Sequence, residues 1–222
     1  QYQSAGPSGA SASYIKYALT PEVYLGVTYK HKGFLGRLGA DILSIKPRNV
    51  GKNADGLEVH VKDRKTSLLY YAYLQYNKGM FSFRAKTTYG EGGEHLSLMS
   101  GYAKVGELED GTWQYASLRN SSSWVSFSYG KKWQGVLFAG YIKNLGLADE
   151  HDISKVYFNS NGSTSINQMY RINPQGLYNF GKFSLGLEYQ WTAVQYGEGA
   201  LNKRALATEN LHWVGNHRVN MM

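Results

Sequence analysis

The groups able to do acid–base chemistry here are six histidines: His31, His60, His95, His151, His212 and His217. Two of them have an acidic neighbour, Asp152 after His151 and Glu94 before His95. Such pairs imitate the Asp–His unit that activates water in some proteases. Adjacent residues in polar loops are usually just solvated, however, and neither pair comes with a nucleophile and an orienting group at a workable spacing. There is no HExxH helix, no G-x-S-x-G elbow and no phosphate-binding glycine loop. Cys is absent, which removes thiolate metal sites and disulfides together. The expectation is a protein that is not an enzyme and holds no metal and no cofactor.

A second set of residues does electrostatic rather than bond-making chemistry. Arg37 and Asp41, Arg84 and Lys86, Arg171, and Glu188 occupy the polar parity of segments whose other parity is apolar. Period two is the signature of a strand, so each charge belongs to one face of a sheet. The formal net charge of +8 and pI near 9.4 raise the question of nucleic acid. The bases are scattered among turns (Lys32, Lys78, Lys131, Lys132, Lys182) and strand positions, with no contiguous patch, so no nucleic-acid partner is expected.

The elements that must position these charges are hairpins. The clearest runs from Ile172 to Trp191. Phe183, Leu185, Leu187, Tyr189 and Trp191 alternate with Ser184, Gly186, Glu188 and Gln190, and a turn at Asn179–Lys182 joins them to Tyr170, Ile172 and Tyr178. Similar patterns place Val23–Tyr29 against Phe34–Ile42, and Leu68–Tyr76 against Phe81–Tyr89. A further hairpin sets Val125, Phe127 and Tyr129 against Val136, Phe138 and Ile142, although Trp133, Leu137 and Tyr141 compete for the apolar parity of its second strand. A last strand carries Leu211, Trp213, Val219 and Met221. Gly90–Asn120 reads either as a loop that folds back or as one more hairpin. Residues 1–20 read as a loop or tether, with a short extended piece from Tyr14 to Leu19.

Tight turns fall near residues 32, 78, 131 and 181, and long polar stretches separate them: Pro47–Arg64, Gly146–Ser165, and Gly197 to about Thr208. Alternating short and long connections distinguish the two ends of an outer-membrane barrel, short turns on the periplasmic side and long loops outside. Nine strands are counted, or eleven if Gly90–Asn120 hides a hairpin. Bacterial single-chain barrels close with even numbers. The sequence, 1–222, is therefore expected to be a single β-barrel domain forming the C-terminal part of a larger barrel.

The abundance of Tyr (19), Trp (5) and Phe (8) agrees with an all-β chain, and no run of about 18 apolar residues offers a transmembrane helix. Tyr29, Phe34, Tyr76, Phe81, Tyr129, Trp133, Tyr178 and Phe183 all flank the tight turns, where an interfacial aromatic girdle would sit. The fold class expected is thus an all-β, antiparallel up-and-down transmembrane β-barrel in a bacterial outer membrane. Arg37, Asp41, Arg84, Lys86, Arg171 and Glu188 would line its pore, since Arg or Lys facing lipid at the midplane costs about 2–4 kcal/mol. Tyr71 and Tyr73, on the same parity, would stack on sugars or simply fill the lumen. A soluble ligand-binding β-barrel, with its aromatics turned inward, is the alternative that keeps the same strands.

The segments KGFLGRLGADILSIKPR, NKGMFSFRAKTTYG, SSSWVSFSYGKKWQGVLFAGYIKNLG and NQMYRINPQGLYNFGKFSLGLEYQWTAVQYG resemble the C-terminal portion of porin-like outer-membrane proteins of Bacteroides-type bacteria. The resemblance extends over most of residues 21–222 and rests on hairpins rather than on a catalytic signature. It implies passive uptake of small hydrophilic solutes through a channel surrounded by outer-membrane lipid and lipopolysaccharide, and it allows a homotrimer; the basic wall residues named above would make that channel mildly anion-favouring. A plugged barrel serving as a structural or docking subunit of an envelope complex would carry the same surface pattern. Such barrels usually finish on an aromatic residue. Here the last residues are Asn220, Met221 and Met222, so either a few terminal residues are missing, which agrees with the expected missing strands, or the end is unusual.

Overall fold

Alternating side chains and two-residue turns build one large antiparallel sheet. The computed structural model describes residues 4–18, 20–93, 98–158 and 165–221. In chain order its elements are α1 (Ser13–Lys16), β1 (Val23–His31), β2 (Phe34–Ile45), β3 (Val50–Lys52), β4 (Glu58–His60), β5 (Lys65–Lys78) and β6 (Phe81–Glu91). There follow β7 (Gly101–Glu107), β8 (Trp113–Ser117), β9 (Arg119–Gly130), β10 (Trp133–Gly146), β11 (Lys155–Phe158), β12 (Ile166–Phe180), β13 (Phe183–Leu201) and β14 (Ala207–Met221). The main sheet is nine-stranded, in the order β1-β2-β5-β6-β9-β10-β12-β13-β14. Each strand lies beside its predecessor in that sheet, which makes it an up-and-down meander. Among the described residues β1 and β14 do not pair with each other, so the sheet is open and has two edges.

The turns explain this regularity. Lys32 (φ 41) and Gly33 (φ 82) both sit in the left-handed region, the requirement for a two-residue turn whose twist matches its strands. A Cβ on Gly33 would also lie 2.3 Å from the Asn77 carbonyl oxygen, because the neighbouring strand ends against this turn. Gly79 and Gly181 open the corresponding turns of the second and fourth hairpins.

At the opposite end the long connections fold into a rim instead of hanging free. Gly90–Asn120 contains a hairpin, β7–β8, which joins β11 in a separate three-stranded sheet, so the main sheet keeps nine strands. The Pro47–Arg64 stretch forms the β3–β4 ribbon. Buried clusters lie here: Tyr14, Leu43, Ile45 and Tyr102 in one, Ala103, Leu118, Leu147 and Ala205 in the other.

Three expectations need correction. Tyr14 lies in one turn of helix, not an extended piece: its ring is buried against Leu43, Ile45 and Tyr102, and its hydroxyl donates to the Gly9 carbonyl at 3.0 Å. That anchoring curls the described part of residues 1–20 into the rim. The supposed loop from Gly197 to Thr208 is shorter, 202–206, because β13 and β14 continue past the sheet through register shifts after Tyr196 and Glu198. In β10, Leu137 pairs with Phe127 and Ala139 with Val125, so Trp133, Leu137 and Tyr141 hold the apolar face and Val136, Phe138 and Ile142 the polar one. Local alternation could not rank two apolar parities; the register to β9 does.

Candidate functional site: a basic sheet face beneath a folded rim

Residues directly opposite in an antiparallel ladder share a face, so the register divides the sheet into two surfaces. One surface carries Val27, Leu38, Leu74, Phe83, Val125, Leu137, Ile172 and Leu185. The other carries Thr28, Arg37, Gln75, Arg84, Ser126, Gln175 and Glu188. Their exposure is the reverse of a water-soluble sheet. Along β10 the apolar Trp133, Gly135 and Leu137 are exposed while Gln134 and Val136 between them are half-buried; along β13 Leu185 and Leu187 are exposed while Gly186 and Glu188 are half-buried. From β5 to β13 the polar face is on the whole the less exposed one, although Arg84 and Arg171 on it are exposed, and β1 is exposed on both faces.

All six charged positions lie on this polar face. Arg37, Lys86 and Arg171 occupy a single rung that crosses the sheet through Tyr73, Trp124 and Gly140. At the usual strand spacing, Arg37 and Lys86 are about 10 Å apart and Lys86 and Arg171 about 14 Å. The two guanidinium groups are oriented alike: Arg37 Nε donates to Thr28 Oγ1 and Arg171 Nε to Thr192 Oγ1, each at 2.9 Å. Arg84 is exposed one rung nearer the turns, between Gln75 and Ser126. The carboxylate of Glu188 accepts from Gln175 Nε2 at 2.6 Å and Asn220 Nδ2 at 2.9 Å, a tie across three strands. Asp41 is buried at the rim end of β2.

Between the cations lies a run of aromatic rings that periodicity alone did not single out as a unit. Tyr24 stacks on Tyr71 (centroids 5.6 Å), Lys86 Nζ stands 5.8 Å over the Tyr71 ring, Tyr73 meets Trp124 edge-on at 6.3 Å, and Trp124 meets Phe138 at 6.0 Å. Glycines let these rings lie along the sheet. A Cβ on Gly39 would fall 2.6 Å from Tyr71, and one on Gly140 would fall 3.2 Å from Phe138. The signal available in the sequence was Trp124 standing among serines on the polar parity of β9.

The apolar face has a different order. Tyr29, Phe34, Tyr76, Phe81, Tyr129, Trp133, Tyr178 and Phe183 all lie on it, beside the tight turns. A second collar, Tyr70, Tyr89, Tyr141, Tyr170, Trp191 and Trp213, lies on the same face near the rim, with Tyr170 5.3 Å from Trp191 and 5.4 Å from Trp213. From Tyr70 to Tyr76, or from Tyr170 to Tyr178, is about 20–27 Å along the strand at about 3.4 Å per residue. That is the scale of the apolar band, about 25 Å tall, of a membrane barrel.

The rim leans over the polar face. The buried residues at the rim ends of the strands, including Asp41, Leu43, Leu69, Thr88, Asn120 and Asn144, belong to that face. Asp63 is the electrostatic centre of the rim. Its fully buried carboxylate receives Arg48 Nε (2.8 Å) and Nη2 (3.0 Å), the Trp113 backbone N–H (2.9 Å) and the Tyr115 hydroxyl (2.5 Å). Arg48 also donates to the Gly111 carbonyl and lies 3.5 Å over the Trp113 ring. Burial, then the bond to the Asp63 carboxylate, pushes the Tyr115 hydroxyl far above its ordinary range. Burial pulls Arg48 down, but the hydrogen bond and charge of Asp63 outweigh it and the net shift is upward. Lys104 holds Glu107 below the usual carboxylate range, and the Thr112 backbone N–H does the same for Asp110.

Asp152 faces Lys203 at 3.7 Å, with its side chain almost fully exposed, and the His151 backbone N–H is bound to the Lys203 carbonyl. Glu94 and His95 lie outside the described residues. Among the described residues no three His, Asp or Glu side chains gather as a metal site. No protein-family model, curated protein or solved structure matches the chain.

Proposed function

We propose that this sheet is part of the wall of a transmembrane β-barrel in a bacterial outer membrane, and that its polar face lines a passive channel for small hydrophilic solutes with a mild preference for anions. The observation that carries the reading is the inverted exposure of the middle strands: apolar side chains outward between two aromatic collars, and polar ones less exposed on the face that carries Arg37, Arg84, Lys86 and Arg171. In water an outward apolar surface of this size is a liability, whereas in lipid it is the stable arrangement. Arg37, Arg84, Lys86 and Arg171 supply the positive field and outnumber Glu188, which is held by two side-chain amides. Selectivity by rings of basic side chains is an established channel device.

The test is conductance in a planar bilayer under a salt gradient. Stepwise openings with a reversal potential on the anion side are expected. Inserted protein that stays silent would overturn the channel. The inward-leaning rim favours a second reading for that outcome, a plugged barrel used as a docking subunit.

A further inference from the structure

A groove of about 830 Å³ lies open on the apolar face, beside the turn that joins β9 to β10. Its floor is a pair of glycines directly opposite each other, Gly135 on β10 and Gly176 on β12. A Cβ built on either would meet nothing within 4 Å, so the space is open and not filled by neighbouring rings. Trp133 and Tyr178, with centroids 4.4 Å apart, wall the groove toward the turns, and Leu185 and Leu187 flank it. The two turns beyond it, β9–β10 and β12–β13, carry three cations, Lys131, Lys132 and Lys182. Lys132 Nζ lies 5.6 Å over the Tyr178 ring. The Lys131–Lys132 turn is pinned, because the Asn179 backbone N–H donates to the Lys132 carbonyl (2.8 Å) and Asn179 Nδ2 to the Lys131 carbonyl (2.6 Å).

We infer that this groove is a site for one anionic phospholipid, an acyl chain lying on the Gly135–Gly176 floor and the headgroup phosphate held by Lys131, Lys132 and Lys182. The inference rests on the membrane reading above but not on conduction. A smooth apolar wall takes lipid without order or preference. A glycine notch adds contact along one chain, and ammonium groups carried by two short turns at interface depth select for negative headgroups. The aromatic edge between notch and lysines matches the level where Trp and Tyr rings sit. An acyl chain and a phosphate joined in one molecule meet both halves of the site at once, which neither a detergent tail nor free phosphate does.

The experiment is native mass spectrometry of the chain released from vesicles of phosphatidylglycerol and phosphatidylcholine in equal amounts. The expected result is one retained phosphatidylglycerol, preferred over phosphatidylcholine by about tenfold. Lys131→Gln, Lys132→Gln and Lys182→Gln together, in turns where folding is not at stake, should erase the preference. Gly135→Leu with Gly176→Leu should reduce retention of both lipids. Equal retention of the two lipids by the unaltered chain, or a preference that survives loss of the three lysines, would overturn the site. A chain that never enters vesicles would instead overturn the membrane reading beneath it.

Discussion

Asp63 shows how much one side chain settles. A buried carboxylate is stable only when paired and hydrogen-bonded, and here Arg48, Tyr115 and a backbone N–H supply the partners that bring residues 48, 63 and 113–115 together. Tyr115→Phe removes one of those donors and should weaken the rim by about 1–2 kcal/mol, read as faster proteolysis between residues 47 and 64 with the main sheet intact. The same hydroxyl makes a pH prediction. Its pKa is raised in the folded rim, so its contribution is complete below the unfolded value of 10.0 and falls as pH rises past it. The rim should therefore loosen above pH 10, and Tyr115→Phe should lessen that loss. Cleavage rates unchanged with pH in the unaltered chain would contradict the buried Tyr115–Asp63 bond.

At the scale of elements, two-residue turns and strict alternation bring Arg37, Lys86 and Arg171 onto one rung from strands far apart in the chain. Lys86 borders both the aromatic run and the basic row, and Arg84 points from the same strand face. Arg84→Glu with Lys86→Glu should shift the reversal potential toward cations without altering insertion; unchanged selectivity would remove this strand from the pore wall. Strand periodicity was legible for β1, β2, β5, β6, β12 and β13. It failed at β10, where apolar residues occupy both parities, because the parity is decided by pairing to β9 and by the room Gly140 leaves for the Phe138 ring.

At the scale of the whole molecule, an exposed apolar face and unpaired sheet edges of this kind disfavour a dispersed monomer in plain water, and the proposed membrane setting makes that a prediction. The chain should need detergent or vesicles to stay dispersed, with an antiparallel-β circular dichroism spectrum in either. A monodisperse monomer in buffer without detergent would show that the apolar face is covered by protein, and the soluble reading of the same strands would take its place.

By itself the sequence determined the all-β meander and the side of each strand on which Arg37, Arg84, Lys86, Arg171 and Glu188 fall, because period two and glycine turns are local properties of the chain. Only the tertiary structure decided that the β7–β8 hairpin stands apart from a nine-stranded main sheet, which parity of β10 joins the apolar face, and where the Gly135–Gly176 groove lies. Those depend on register between strands and on contacts such as Arg48 with Asp63, made by residues whose spacing along the chain carries no period.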